Sequence, residues 1–153
     1  MKLKLIIDTR EQNPLCFRTS KLIEAVETKK LNVGDYSIEG YEDKIAIERK
    51  SAIDLFGSLG KGHARFKREL ERAEGMDYFG ILVDASFSAI KSKDFDNSHF
   101  SKMKGHVIIQ ICMTLKLKYN IDVVFCKDRT ESASYVRELF KAYMKQQQND
   151  NAK

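Results

Sequence analysis

The run Ile45-Ala46-Ile47-Glu48-Arg49-Lys50 sets three charged side chains on the end of an apolar, β-branched segment. A chain tolerates that only where the charges meet compensating groups at the end of a buried strand. Strand side chains alternate faces, so Glu48 and Lys50 point one way and Arg49 the other. Upstream, Val33-Gly34-Asp35-Tyr36 puts an aspartate beside a turn glycine at the start of a segment expected to pair with this strand. Two acids and a lysine converging on one side of a sheet suit phosphodiester hydrolysis. The carboxylates hold a divalent cation, and the ammonium sits over the attacking water and the developing phosphorane charge.

The remaining pattern alternates β-type and helical segments, as in an α/β layer fold. Strands are expected at Leu3 to Asp8, Asp35 to Glu39, Lys44 to Arg49, Phe79 to Asp84 and Ile121 to Cys126. Helices are expected at Ser20 to Thr28, capped by Ser20, and from Ser51, with Asp54 completing a capping-box pattern. Further helices are expected over Ala64 to Glu74, Met103 to Tyr119 and Glu131 to Lys145, with a loop holding a turn of helix across Ser86 to Ser98. With 153 residues the chain makes one domain, residues 1–147, followed by a polar, disordered tail over 148–153.

Composition excludes several classes. No apolar run approaches the ~18–20 residues that span a bilayer, and Leu5-Ile6-Ile7 is too short for a signal-peptide core. Cys16, Cys112 and Cys126 are odd in number and widely spaced, against a disulfide framework or zinc site and for reduced, cytoplasmic thiols. The net charge of +5 favours a polyanionic partner, although charge of this size also serves solubility.

Each candidate residue has a plainer alternative. Asp35 also reads as a turn aspartate, and Glu48 with Lys50 as a salt bridge across a strand face. Asp54 also reads as a helix-start acid. Asp8, Arg10 and Glu11 follow the first strand, where α/β sheets bind ligands, but loop charges are common there. Arg65, Lys67, Arg68 and Arg72 offer a phosphate-contacting helix surface, while Arg65 with Glu69 and Lys67 with Glu71 are also helix-stabilising i,i+4 pairs. His63 lies in the turn with Gly57, Gly60 and Gly62, which lacks the GK[ST] of a nucleotide-cradling loop. Tyr36 reads as core. The stripe Tyr135, Leu139, Phe140, Tyr143 on the last helix reads as core or as a dimer surface.

Ile7-Asp8-Thr9-Arg10-Glu11, Val33-Gly34-Asp35-Tyr36 and Glu48-Arg49-Lys50-Ser51-Ala52-Ile53-Asp54 closely resemble the nuclease domain of the XPF-type structure-specific endonucleases, a branch of the PD-(D/E)XK superfamily whose signature is GD, a gap, then ERKxxxD. The resemblance implies a central mixed β-sheet flanked by helices, a restriction-endonuclease-like core. It implies a metal-dependent DNA endonuclease acting on branched or flapped DNA, with Mg2+ or Mn2+ held by Asp35, Glu48 and the backbone carbonyl of Arg49. Lys50 would orient the water or neutralise transition-state charge. Asp8, Glu11 and Asp54 would complete the acidic site, binding the metal directly or through water, with Asp8 the further metal ligand. Arg49 and Arg10 would steady these carboxylates or a phosphate, with His63, Arg65 and Arg68 as further DNA contacts. The alternative is a catalytically silent DNA-binding or dimer-partner module, although such modules usually lose the ERK side chains kept here. Cellular members add a tandem helix-hairpin-helix module, and no GxG hairpin pair occurs in this sequence. DNA, a second copy or a partner protein docking on the C-terminal helices are the implied partners. The implied compartment is the cytoplasm of a bacterial or phage-infected cell, or the nucleus in a eukaryote.

Overall fold

The computed structural model describes residues 2–153. Among these, the apolar runs form six strands of one mixed sheet: β1 (Leu3–Ile7), β2 (Ile23–Thr28), β3 (Tyr36–Ile38), β4 (Ile45–Lys50), β5 (Tyr78–Val83) and β6 (Asp122–Phe125). The sheet order is β2-β1-β3-β4-β5-β6. β3 runs antiparallel to both neighbours, and the other adjacent pairs are parallel. The helices are α1 (Ala52–Leu59), α2 (His63–Arg72), α3 (Phe87–Ser92), α4 (Gly105–Tyr119) and α5 (Arg129–Asn151). The fold is the restriction-endonuclease-like α/β core that the resemblance implied.

Strand alternation divides the core into two layers. Ala46, Ile81 and Val83 face one side and pack under Leu55 and Phe56 of α1, Phe66 of α2 and Ile108 and Cys112 of α4. Ile45, Ile47 and Leu82 face the other side, covered by Val136, Phe140 and Tyr143 of α5. The stripe on α5 is thus used inside the domain, with Tyr135 and Leu139 packed at its margin. Among the described residues no helix is long and apolar enough to cross a membrane.

Two expectations need correction. The segment expected as a helix from Ser20 to Thr28 contains an edge strand, β2, paired parallel to β1. The Ser20 hydroxyl does accept backbone N–H bonds, from Leu22 and Ile23 at 3.1 Å each, but these close a turn that launches the strand. Ile23, Val26 and Thr28 are β-branched, and pairing with β1 outweighs the helical spacing of the apolar residues. At the other end, α5 continues to Asn151, so residues 148–151 of the expected disordered tail are helical. Glutamine is a good helix former, which polarity alone conceals.

One glycine fixes where the sheet's loop meets its central strand. Gly34 has φ +76°, and a Cβ there would lie 3.0 Å from Ala46 Cβ and 3.0 Å from the Ile47 carbonyl oxygen. Gly40 has a similar φ of +87° but open space around it. We expect Gly40→Ala to cost about 1 kcal/mol from backbone strain alone. Gly34→Ala should cost about 2–4 kcal/mol, because steric displacement adds to the strain. Urea unfolding midpoints of the two variants check the difference.

Candidate active site

The absent side chain at Gly34 lets the next residue bridge two strands. Asp35 donates its N–H to the Ile47 carbonyl at 2.8 Å, and its own carbonyl accepts from Asp8 N–H at 2.8 Å. Its carboxylate oxygen Oδ2 accepts the Arg49 N–H at 2.8 Å. Asp35 is thereby pinned beside the end of β4, where Glu48 and Lys50 share its side of the sheet. Lys50 Nζ lies 3.5 Å from Glu48 Oε2 and 5.4 Å from the centre of the Phe66 ring, which limits its swing. Asp35 and Glu48 border a cleft of about 180 Å³. Its sheet wall carries Asp8, Asp35 and Glu48, its loop wall Arg10, and its helical wall Arg65, Glu69 and Arg72 of α2.

Burial raises the pKa of Asp35 above the ordinary carboxylate value, partly offset by a hydrogen bond from Glu48 and by the Arg49 N–H. Burial and the neighbouring Asp35 charge push Glu48 up to about 7, with Lys50 opposing. The hydrogen bond between the two carboxyl groups lowers the Asp35 pKa and raises that of Glu48, which favours protonation of Glu48 over Asp35. Glu69 is also raised, first by burial and then by the Glu48 charge. For Asp8 burial works upward but is outweighed by hydrogen bonds from Arg10 and from the Leu31 N–H, so its pKa is lowered. Its oxygens are occupied: Oδ2 takes Arg10 Nε at 2.8 Å and Oδ1 takes Leu31 N–H at 2.8 Å. Asp8 acts here as the anchor that holds Arg10 at the rim, and Arg10 also donates to the Leu31 carbonyl at 2.8 Å.

Arg49 points to the opposite face, as alternation requires. Its guanidinium donates to Asp84 Oδ2 at 2.7 Å, to the Asn13 carbonyl at 2.6 Å and, more weakly, to Glu11 Oε2 at 3.4 Å. Glu11 also accepts from the Tyr36 hydroxyl at 2.9 Å. Tyr36 itself is fully buried, the core reading of that residue. Expected site residues therefore separate. Asp8, Arg10, Asp35, Glu48 and Arg65 border the cleft, with Lys50 against Glu48, whereas Glu11 and the Arg49 side chain form a buttress on the other face. Asp54 is exposed on the first turn of α1, with its N–H bonded to Ser51 Oγ at 3.2 Å. His63 borders a different groove between α2 and α4, and exposed Arg68 borders neither. Five acids do not gather around one point.

Sequence reasoning names Arg72 in the phosphate-contacting surface of α2 but misses Glu69, which it reads only as the surface partner of Arg65, a contact that exists at 3.9 Å. The available signal was the spacing 65, 69, 72, which puts three charges on one helix face.

The family is decided by the sequence profile of the ERCC4 domain, which matches residues 7–139. The chain belongs to the ERCC4 domain family. The match takes in every candidate above. The fold is similar to that of XPF from Aeropyrum pernix, with a TM-score of 0.64 and 21% identity over 90% of this chain and 65% of that one. It is also similar to XPF from Aeropyrum pernix in complex with DNA, with a TM-score of 0.67 and 22% identity over 94% of this chain and 66% of that one. The chain thus spans just under two thirds of those solved chains. Among curated proteins none matches the sequence.

The donor set of this ERCC4 domain suits a hard cation in part. Asp35 and Glu48 are oxygen donors, and burial and the Asp35 charge raise the Glu48 pKa, a repulsion that a divalent ion would relieve. Among the described residues no three His, Cys, Asp or Glu side chains make a ready cage, so backbone carbonyl and water must complete any shell.

Because folding raises the Glu48 pKa, the folded state binds more protons than the unfolded chain between the two values. Stability is then full below about pH 4.5 and is lost as pH rises to about 7. In the presence of a chelator the loss should be on the order of 3 kcal/mol. It should shrink in Glu48→Gln, as read by urea unfolding across that pH range.

Proposed function

We propose that this ERCC4 domain is a metal-dependent endonuclease that hydrolyses phosphodiester bonds in DNA, acting on branched or flapped forms. The observation that carries the reading is the coupled carboxyl pair Asp35–Glu48, with Lys50 beside it, in an open cleft walled by arginines. An ordinary salt bridge explains Lys50 with Glu48 but leaves unexplained why a second carboxylate is pinned against them by three backbone hydrogen bonds.

Asp35 and Glu48 would hold Mg2+ or Mn2+, with the backbone carbonyl of Arg49 and waters completing the shell. Asp8, bonded to Arg10, would act through Arg10 and water. The bound ion would supply charge neutralisation and a more acidic water. The chain's own groups do the rest. Arg10, Arg65 and Arg72 receive the phosphates on the two walls of the cleft. Lys50, held between Glu48 and the Phe66 ring, donates to the attacking water or to a non-bridging oxygen as negative charge grows. Attack by water forms one P–O bond and gives up a proton to solvent, the P–O bond to the leaving sugar oxygen breaks, and that oxygen takes up a proton from solvent.

Purified full-length protein should cut at least one of single-stranded, duplex, flap or fork DNA when Mg2+ or Mn2+ is present. Asp35→Ala, Glu48→Gln and Lys50→Ala should each lower the rate by about 10²-fold or more. Cleavage of no DNA form, or cleavage untouched by Asp35→Ala, would overturn the reading in favour of a silent binding module. Because the cation must displace the Glu48 proton, its affinity should fall about tenfold for each pH unit below 7. Calorimetric titration of Mn2+ at several pH values reads that slope, and Glu48→Gln should flatten it.

A further inference from the structure

Outside the cleft, one surface feature serves neither the core nor the site. The 3₁₀ turn Ser98–Phe100 carries Phe100 outward at 73% exposure. His99 lies against it with ring centroids 4.3 Å apart and planes tilted by 37°. The turn is entered through Asn97 in the left-handed region, φ 65°. It is closed on the far side by Met103 N–H bonding Ser101 Oγ at 3.2 Å and by Lys93 Nζ donating to the Ser101 carbonyl. A single exposed apolar residue is unremarkable in itself. An aromatic pair presented on a fixed base is a different object, because it offers a π-surface at little entropic cost.

Charge says what that surface meets. From Asn97 to Ile121 the chain has no aspartate or glutamate, while Lys102 and Lys104 follow directly on the aromatic pair. Asp94 and Asp96 precede the reversal at Asn97. The segment after the turn meets the loop before α2. Met103 sits against Gly60, where a Cβ would lie 3.4 Å from Met103 Cγ. From there Lys61 and His63 are exposed at the start of α2, the helix that carries Arg65 into the cleft.

Resting on the nucleic-acid reading above, we propose that the His99–Phe100 turn is a stacking site for an unpaired nucleobase, on a strand whose backbone follows Lys102, Lys104 and Lys61 towards Arg65. Base–aromatic stacking tolerates any sequence, so the site selects for an unpaired base and not for a particular one. A paired base is stacked within its duplex and has no free face to offer.

The test is fluorescence anisotropy of full-length protein in chelator, with a labelled single-stranded oligonucleotide and a blunt duplex of the same sequence. Phe100→Ala should lower the ratio of single-strand to duplex affinity by about 5- to 100-fold, since one stacked base contributes roughly 1–3 kcal/mol. Phe100→Trp should restore it. 2-Aminopurine in the single strand should change its emission on binding the wild type and lose that change with Phe100→Ala. An unchanged ratio, an equal loss on both forms, or a Phe100→Ala effect confined to self-association in sedimentation would overturn the stacking site. If the wild type still cuts DNA in those cases, the nuclease reading survives. Wild-type protein that binds neither form in chelator would overturn the stacking site, and the nuclease reading then stands or falls on cleavage with Mg2+ or Mn2+.

Discussion

Asp35 is tied through its backbone to β1 by the Asp8 N–H and to β4 by the Ile47 carbonyl, while its carboxylate takes the Arg49 N–H. Two buried carboxyl groups side by side repel each other and lose hydration, so left to themselves they would separate. The three hydrogen bonds keep Asp35 in place, and they form only because Gly34 can adopt positive φ with nothing projecting towards Ala46 and Ile47. Burial raises the pKa of Glu48, and that closeness raises it further. Any affinity for a divalent cation would rest on the same pairing.

Strand alternation then splits the rest of the signature into two tasks. Glu48 and Lys50 work towards α2, while Arg49 faces away and joins Asp84, Glu11 and the Asn13 carbonyl. Asp84 also accepts from Ser132 Oγ of α5 at 2.8 Å. Arg129 of α5 reaches the same N-terminal loop at the Pro14 carbonyl, 2.7 Å away. One guanidinium thus links the loop after β1, the end of β5 and α5 beneath the cleft. Only 9% of the Arg49 side chain is exposed, so its loss would strand buried carboxylates. A residue that looks catalytic in a sequence motif here holds the platform rigid.

The parts legible in the sequence are those set by local rules. β4 showed as an apolar run, Gly34 as a turn residue, Ser51 as an N-cap, and the two faces of Glu48-Arg49-Lys50 as simple alternation. The parts that were not legible depend on tertiary geometry. β2 carries apolar residues at helical spacing and became a strand only because β1 offered an edge. Glu11 and Asp54 sit near strand ends as expected, but side-chain direction sends one to the opposite face and leaves the other in solvent. Glu69 and Arg72 join the site because the chain reverses at Gly60-Lys61-Gly62 and lays α2 back along α1, a reversal whose angle no local pattern specifies.

That reversal also settles the charge of the cleft. Four carboxylates, on Asp8, Asp35, Glu48 and Glu69, are met by Arg10, Lys50, Arg65 and Arg72. Without the helical wall the sheet edge would repel a polyanion. With it the cleft is nearly neutral, and the proton on Glu48 lowers the negative charge further. A divalent cation entering there would expel that proton and still tip the balance positive. Cation and polyanion would then bind with mutual reinforcement, since each lowers the electrostatic cost of the other. Positive side chains further along, at Lys61, Lys102 and Lys104, are exposed to solvent. Affinity for a strand can therefore reside on that outer surface, while the cleft keeps the near-neutrality that makes its response to a cation large.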